Sequence, residues 1–276
     1  MRLLGTFLAL AAGLVFAQSQ PANREALWKQ VAAAEKKGLP KTAAAKLQLI
    51  YDSALRDGRH AEAIKALAKR ITHEGAVQGN KPEKKITRLR AELRKTPDEA
   101  KPLLQTILGH WYWQYFRASR YRFLQRTATA QPLGEDFTTW DLPRLYREID
   151  LHFTNALADG RLKTIPTTDF ADLLTKPTLP EKYRPTLYDF IAHEALGFYT
   201  SGEFAAAKPE DAFEVRASDP LLGPLDKFLA WVPETTDTES PQFKAVRLYQ
   251  DVLRFHLDDA DSSALNDTDI LRLLHG

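Results

Sequence analysis

The chain has 276 residues, of which 44% are hydrophobic, which is enough for one or two domains with an apolar core. Lys and Arg number 38 against 36 Asp and Glu, so the charges nearly balance and give no electrostatic reason to expect nucleic acid or an anionic membrane as a partner. The sequence has no Cys, which excludes disulfide bonds, thiolate metal sites and a cysteine nucleophile.

The first twenty residues, MRLLGTFLALAAGLVFAQSQ, have the pattern of a secretory signal peptide. Arg2 precedes an apolar run from Leu3 to Phe16, and small residues lie before a cleavage point between Ala17 and Gln18. The run is shorter than the roughly 20 residues that a membrane-spanning helix needs. We therefore expect residues 1–17 to be removed and the mature chain, without a transmembrane segment, to be periplasmic or extracellular.

Residues 18–95 form the first predicted region, an Ala-rich helical hairpin. A helix over residues 24–37 is expected to end at Gly38 and Pro40. Two further helices meet at Gly58, because apolar residues recur at helical spacing on both sides of it: Leu47, Ile50, Tyr51, Ala54 and Leu55, then Ile64, Leu67, Ala68 and Ile71. The short break predicts an antiparallel pair similar to a tetratricopeptide (TPR) hairpin, followed by a loop over 75–85 and a helix over 86–93. No second copy of the pattern follows, so a regular solenoid is not expected.

Residues 96–276 form the second predicted region, an irregular multi-helix domain rich in aromatic residues, which we expect to pack either separately or as one body with the first. Thr96 and Glu99 have capping-box spacing, which predicts a long helix from Pro97 with a kink at Pro102. Further amphipathic helices are expected to end near Gly160 and near Gly202, one begins at Ser240 and Pro241, and Asn266 is expected to cap a short last helix. The predicted fold class is therefore all-α.

One aromatic cluster carries the candidate surface contacts. Trp111, Tyr112, Trp113, Tyr115 and Phe116 lie in one predicted helix, with Arg120 and other cations close behind in the sequence. Such a cluster could bind a glycan or peptide, since Arg stacks on aromatic rings. Burial of each ring is worth roughly 2 to 3 kcal/mol, so core packing is favoured, with Trp113 and Arg120 reaching the surface.

Other motifs for chemistry are incomplete. His193 and Glu194 begin a zinc-helix pattern, but position 197 is Gly, which favours a surface histidine beside a solvated carboxylate. Asp258, Asp259, Asp261, Asp267 and Asp269 resemble a calcium loop only in composition, which favours a solvated turn with Asp capping. There is no Gly-x-Ser-x-Gly turn and no glycine-rich phosphate loop. We therefore predict no catalytic residue, no cofactor and no metal.

Four segments resemble successive landmarks in the amino-terminal helical region of large bacterial alpha-2-macroglobulin family proteins. They lie between Leu27 and Leu196 and read LWKQVAAAEKKGLPKTAAAKLQLIYDSALRDGRHAEAIKAL, ILGHWYWQYF with RYRFLQRT, DFTTWDL and RPTLYDFIAHEAL. The resemblance implies an exported, non-catalytic module associated with protease trapping, that is, with endopeptidase inhibition. The macroglobulin domains are missing from this chain, and the thioester of many family members needs a Cys that it lacks.

The resemblance leaves three functional hypotheses. In the first, the chain is a scaffold or interaction platform whose partner carries macroglobulin domains encoded elsewhere. In the second, it is a free-standing periplasmic adaptor whose TPR-like hairpin groove binds a peptide or protein. In the third, it is an α-helical enzyme that acts on glycans through the aromatic cluster. We expect the first, with protein rather than nucleic acid as the partner.

Overall fold

The protein is described by a computed structural model over residues 24–79, 81–125, 134–171, 180–203 and 212–276. These residues form helices, turns and loops and contain no β-strand, so the all-α prediction is confirmed. The α-helices are α1 (Arg24–Lys36), α2 (Pro40–Arg56), α3 (His60–Val77), α4 (Pro82–Leu93), α5 (Lys101–Ala118), α6 (Arg120–Leu124), α7 (Leu142–Leu157), α8 (Leu187–Tyr199), α9 (Leu225–Ala230), α10 (Pro241–Phe255) and α11 (Ser263–His275).

Two glycine turns connect the first three helices in the same way. Gly38 and Gly58 have φ values of 65° and 67°, in the left-handed region that glycine adopts at little cost. After each glycine, the next backbone N–H donates to a carbonyl in the last turn of the preceding helix, Leu39 to Ala34 and Arg59 to Ala54. This is the Schellman arrangement, which ends a helix and reverses the chain within two or three residues.

Helices α2 and α3 pack along their lengths as the predicted hairpin, with α1 against α2 and α4 against α3. Ala43 and Ala63 are completely buried, and such small residues allow two helices to approach closely. Arg24 links α1 to the hairpin of α2 and α3, because its guanidinium donates to Glu62 Oε2 at 2.8 Å and also contacts Asp57. The likeness of the hairpin to a tetratricopeptide unit stays a prediction.

The predicted start of the long central helix was wrong. Residues 97–100 form turns, and α5 begins at Lys101 with Pro102 in its first turn, where a proline leaves no helix hydrogen bond unmade. Thr96 does not cap α5. Its hydroxyl donates to the Glu92 carbonyl of α4 at 2.9 Å. The side chain therefore bonds the preceding helix instead of capping the next one.

Helix α5 lies at the centre of the fold and packs against α4, α7 and α8. It approaches α7 most closely at Gly109, where an added Cβ would lie 3.3 Å from the Phe153 ring. One continuous cluster of buried apolar side chains includes residues on both sides of position 95, among them Leu67 and Leu108. The predicted region boundary therefore does not coincide with a break in the core.

Three of the later helices, α7, α8 and α10, begin at side-chain caps. Asp141 accepts the Arg144 N–H at 2.9 Å to begin α7, Thr186 and Asp189 form a capping box at α8, and Ser240 accepts from Phe243 to begin α10 as predicted. The last helix begins at Ser263, so Asn266 lies inside α11 and the prediction that it is a cap was wrong. Among the helices of the described ranges, none has both the length and the hydropathy needed to span a bilayer.

Candidate functional site

A cleft of about 500 Å³ opens between α7, α8 and the start of α10, and we call it the α7–α10 cleft. Its volume is within the range of roughly 300 to 1,000 Å³ that is typical of small-molecule sites. The cleft is lined by Pro143, Tyr146, Arg147, Asp150, Phe198, Tyr199, Thr200, Gly202, Ala212, Phe213, Asp237, Glu239, Ser240, Pro241, Gln242, Lys244 and His275.

Four aromatic side chains form the apolar walls of the cleft. Tyr146 and Phe198 pack edge to face with centroids 6.2 Å apart, and Phe198 lies 5.6 Å from Tyr199. Phe213 is also buried and lines the cleft together with Pro241. Tyr146 is fixed in place because its hydroxyl donates to the Glu203 carbonyl at 2.8 Å. Ring packing and this hydrogen bond therefore hold Tyr146, Phe198 and Tyr199 in place.

An ion-paired lysine joins the helices that form the cleft. Lys244 Nζ of α10 lies 2.8 Å from Asp150 Oδ2 of α7 and 2.8 Å from Glu239 Oε2. The other oxygen of Asp150 accepts from the Tyr199 hydroxyl of α8 at 2.7 Å. Burial lowers the pKa of Lys244, but the hydrogen bonds that it donates to the two carboxylates outweigh burial and leave the pKa above its ordinary value. The lysine is therefore charged at neutral pH and acts as a cation that holds structure, not as a base or nucleophile.

Several polar atoms of the cleft keep free hydrogen-bonding capacity. Gln242 Oε1 is buried and has no hydrogen-bond partner within the described part of the chain. Glu239 bonds Lys244 through one oxygen only, and Asp237 accepts the Phe213 N–H at 3.2 Å through one oxygen only. Arg147 is exposed and pairs with no carboxylate in the described ranges. These groups can bind a ligand without breaking the bonds that hold the cleft.

The two predicted surface contacts do not lie together in the cleft. Trp113 is half-buried behind the cleft wall, where it packs edge to face on Phe198 at 5.6 Å and donates to Glu203 Oε2 at 2.5 Å. Arg117 lies over the same ring at 5.8 Å. Arg120 is exposed at the first residue of α6 and makes no ion pair with a described residue. Trp113 therefore supports the candidate site but is not part of its lining.

The aromatic cluster of α5 is mainly core, as favoured from its periodicity. Tyr112, Tyr115 and Phe116 are buried, and only Trp111 and Trp113 of the cluster are partly exposed. Tyr112 stacks on His152 of α7 with centroids 5.6 Å apart, and His152 contacts Gln105 at 2.5 Å. Burial lowers the pKa of His152 to about 4, so its ring is neutral at physiological pH.

His193 is not the surface histidine that the sequence predicted. Its Nδ1 lies 2.8 Å from the Asp189 carbonyl and its Nε2 lies 3.4 Å from Thr268 Oγ1, so it packs between α8 and α11. Burial lowers its pKa to about 4. Within the described ranges no three potential ligands gather around a metal position.

The acidic residues of the carboxy-terminal segment serve local structure. Asp261 accepts the Ser263 N–H at 2.9 Å at the start of α11, as the Asp-capping interpretation predicted. Asp267 pairs with Arg184 at 3.2 Å and Asp269 with Arg272 at 2.6 Å. Asp259 contacts His256, so these carboxylates are mainly engaged by separate cations and not grouped around one ion.

Sequence reasoning missed the residues that form the cleft. Asp150 and Lys244 are 94 residues apart in the chain, and neither belongs to a recognisable motif. The one available signal was the face of α7, where Pro143, Arg147 and Asp150 follow helical spacing. The predicted cleavage residues Ala17 and Gln18 lie outside the described residues. No family model, no curated protein and no solved structure matches this chain.

Proposed function

We propose that this chain is a non-catalytic helical binding module and that the α7–α10 cleft is its binding site. The observation that supports this most directly is the cleft itself, which combines preformed aromatic walls with polar atoms that have free bonding capacity. Small-molecule and side-chain sites in proteins share this combination of an apolar body and a few placed polar groups. Rigid walls also reduce the entropy that a site loses when it binds.

Binding without catalysis fits the ionic groups of the cleft. A catalytic lysine or carboxylate needs a pKa near the working pH, whereas Lys244 is held fully charged by two carboxylates. The carboxylate of Asp150 has both oxygens engaged, by Lys244 and by Tyr199. These groups therefore fix the positions of α7, α8 and α10 and leave ligand contacts to Asp237, Gln242 and the aromatic walls.

The macroglobulin resemblance suggests the context of this binding. In that proposal the chain is exported and serves as the scaffold or interaction platform of an alpha-2-macroglobulin-like protease trap, with a protein that carries macroglobulin domains as its partner. The resembling segments lie between Leu27 and Leu196, and two of them, DFTTWDL and RPTLYDFIAHEAL, end at Leu142 and Leu196, next to the residues of α7 and α8 that line the cleft. A side chain or chain terminus of the partner would then occupy the cleft.

A library of random octapeptides, presented to the full chain, tests the cleft as a binding site. Gln242→Trp places a large ring in the cleft, and we expect it to weaken the binding of selected peptides by at least about tenfold, or 1.4 kcal/mol. The matched control is Gln48→Trp on α2, which changes the same side chain away from the cleft and loses one exposed bond to Asp52. Affinities are compared by fluorescence polarisation.

The three forms of the chain are expected to differ in peptide binding. Peptides that bind the wild type and Gln48→Trp equally, but not Gln242→Trp, support the proposal. Peptides that bind all three forms alike would place the recognition surface elsewhere. A library from which no peptide binds the wild type would contradict a peptide or protein as the ligand of the cleft.

A further inference from the structure

We infer that the α7–α10 cleft selects a cation on an apolar stem, that is, a ligand with an ammonium or guanidinium group attached to an aliphatic or aromatic chain. This inference rests on the proposed function, since it assumes that the cleft is a ligand site. It adds the sign of the ligand's charge, which the proposed function leaves open.

The charge of the cleft lining favours a cationic ligand. Three carboxylates, those of Asp150, Asp237 and Glu239, face two cations, Lys244 and Arg147. Lys244 is already neutralised between Asp150 and Glu239. His275 adds no charge at neutral pH, because burial lowers its pKa. Arg147 and Glu239 are both exposed, with 69% of the Glu239 side chain accessible, so solvent and salt screen their charges. The partly buried charges are those of Asp150, Asp237 and Lys244, and two carboxylates against one ammonium leave this end of the cleft negative.

The unused hydrogen-bonding atoms of the cleft are acceptors. Gln242 Oε1 is a buried acceptor without a partner among the described residues. Asp237 Oδ1 and Glu239 Oε1 make no hydrogen bond there either, since each carboxylate is bonded through its Oδ2 or Oε2 atom. All three atoms accept and none donates. A ligand with several N–H donors satisfies them, and ammonium and guanidinium groups have three and five.

The apolar part of the lining fits the stem of such a ligand. The stem of a lysine, arginine or arylalkylamine is apolar and would lie against Tyr146, Phe198 and Phe213 while its charged head meets the acceptors. Aromatic faces also attract a cation within about 6 Å. An anion on the same stem would meet carboxylates and acceptor oxygens, and among the described lining residues the one cation without a carboxylate partner is the exposed Arg147.

Three probes of the same shape test the inference on the full chain: 3-phenylpropylamine, 3-phenylpropan-1-ol and 3-phenylpropanoate. At pH 7 we expect the amine to bind at least tenfold more tightly than the carboxylate, with the alcohol between them, as measured by isothermal titration calorimetry. Equal affinities, or tighter binding of the carboxylate, would overturn the inference while leaving the cleft as a ligand site. Binding of none of the three would contradict the proposed function as well.

A pair of peptides distinguishes a protein ligand from a free amine. Acetyl-Ala-Phe-Lys-Ala-amide has a basic side chain, and its norleucine counterpart has the same stem without the charge. Tighter binding of the lysine peptide than of the norleucine peptide indicates a protein source for the cation. Binding of 3-phenylpropylamine but of neither peptide indicates a free amine instead, and both results support selection of a cation.

A matched pair of variants locates the selectivity. Glu239→Gln removes one negative charge from the cleft while Asp150 still holds Lys244, and we expect it to reduce the preference for amine over carboxylate at least threefold. Glu234→Gln is the control, because Glu234 is exposed in the same loop but does not line the cleft. An unchanged preference in Glu239→Gln, with circular dichroism like that of the wild type, would show that the lining carboxylates do not select the ligand.

Discussion

His256 is buried at the carboxyl end of α10 between two carboxylates. Its Nε2 lies 2.7 Å from Asp189 Oδ1 and its Nδ1 lies 2.6 Å from Asp259 Oδ2, so both ring nitrogens donate and the imidazolium form is favoured. Burial lowers the pKa of His256, but the hydrogen bonds and charges of the two Asp residues outweigh it and raise the pKa above 6.5. The same Asp189 caps α8 through Thr186, so His256 links two helix ends.

This arrangement predicts a pH-dependent contribution to stability. Because the folded pKa is raised, the stabilisation is fully present below the unfolded pKa of about 6.5 and is lost as the pH rises through the folded pKa. We expect His256→Gln to lower the free energy of unfolding by roughly 3 kcal/mol at pH 6 and by less at pH 9. Urea unfolding at both pH values measures the difference.

The matched control for His256→Gln is His73→Gln on α3. His73 also contacts a carboxylate, Glu35 at 2.8 Å, but this pair lies nearer to solvent. We therefore expect His73→Gln to lower the free energy of unfolding by less than about 1 kcal/mol. The interpretation of His256 would be wrong if both variants lost the same stability, or if the loss in His256→Gln were the same at pH 6 and pH 9.

At the scale of the elements, the glycine turns were predictable, but the starts of α4, α5 and α11 were not, since these helices begin at Pro82, Lys101 and Ser263. Gly38 and Gly58 end helices by a local backbone rule, so the sequence around each is sufficient to place the turn. Thr96 satisfied a local rule too, but its hydroxyl had a competing acceptor in Glu92 of α4. The choice between them depends on how α4 ends and packs, which sequence spacing does not record.

The packing of α2 against α3 can be tested by substitutions in the surface between the two helices. Leu67 is completely buried in α3, and Leu67→Asp would place an unpaired charge between the helices. We expect a loss of about 4 kcal/mol or more in the free energy of unfolding, or failure to fold. Tyr51→Asp should cost less, because Arg70 lies 5.6 Å from the Tyr51 ring and could pair with the new carboxylate.

Leu49→Asp is the matched control for Leu67→Asp. Leu49 lies on the outer face of α2 with 51% of its surface exposed, so the same substitution there should change the free energy of unfolding by less than about 1 kcal/mol. Thermal unfolding followed by circular dichroism compares the variants. Equal melting temperatures for Leu67→Asp and Leu49→Asp would show that the two helices do not pack through this face.

At the scale of the whole molecule, the cleft depends on contacts between segments far apart in the chain. The helices could be predicted one at a time because their periodicity is local, as for α7 and α10. The pairing of Asp150 with Lys244 depends on how these helices cross α8, and no spacing in the sequence encodes that crossing. The fold class was therefore predictable from the sequence, and the candidate site was not.

The continuous core predicts that both sides of residue 95 unfold together. Helix α5 packs against α4 on one side and α7 on the other, and Leu108 is completely buried within it. We expect Leu108→Ala to lower the free energy of unfolding by about 3 kcal/mol. If the core is one cooperative unit, the free energy of opening measured by hydrogen exchange should fall by the same amount in α2 and in α10, although neither helix contains the substitution. Faster exchange in α10 but unchanged exchange in α2 would instead show that residues 18–95 form an independent domain.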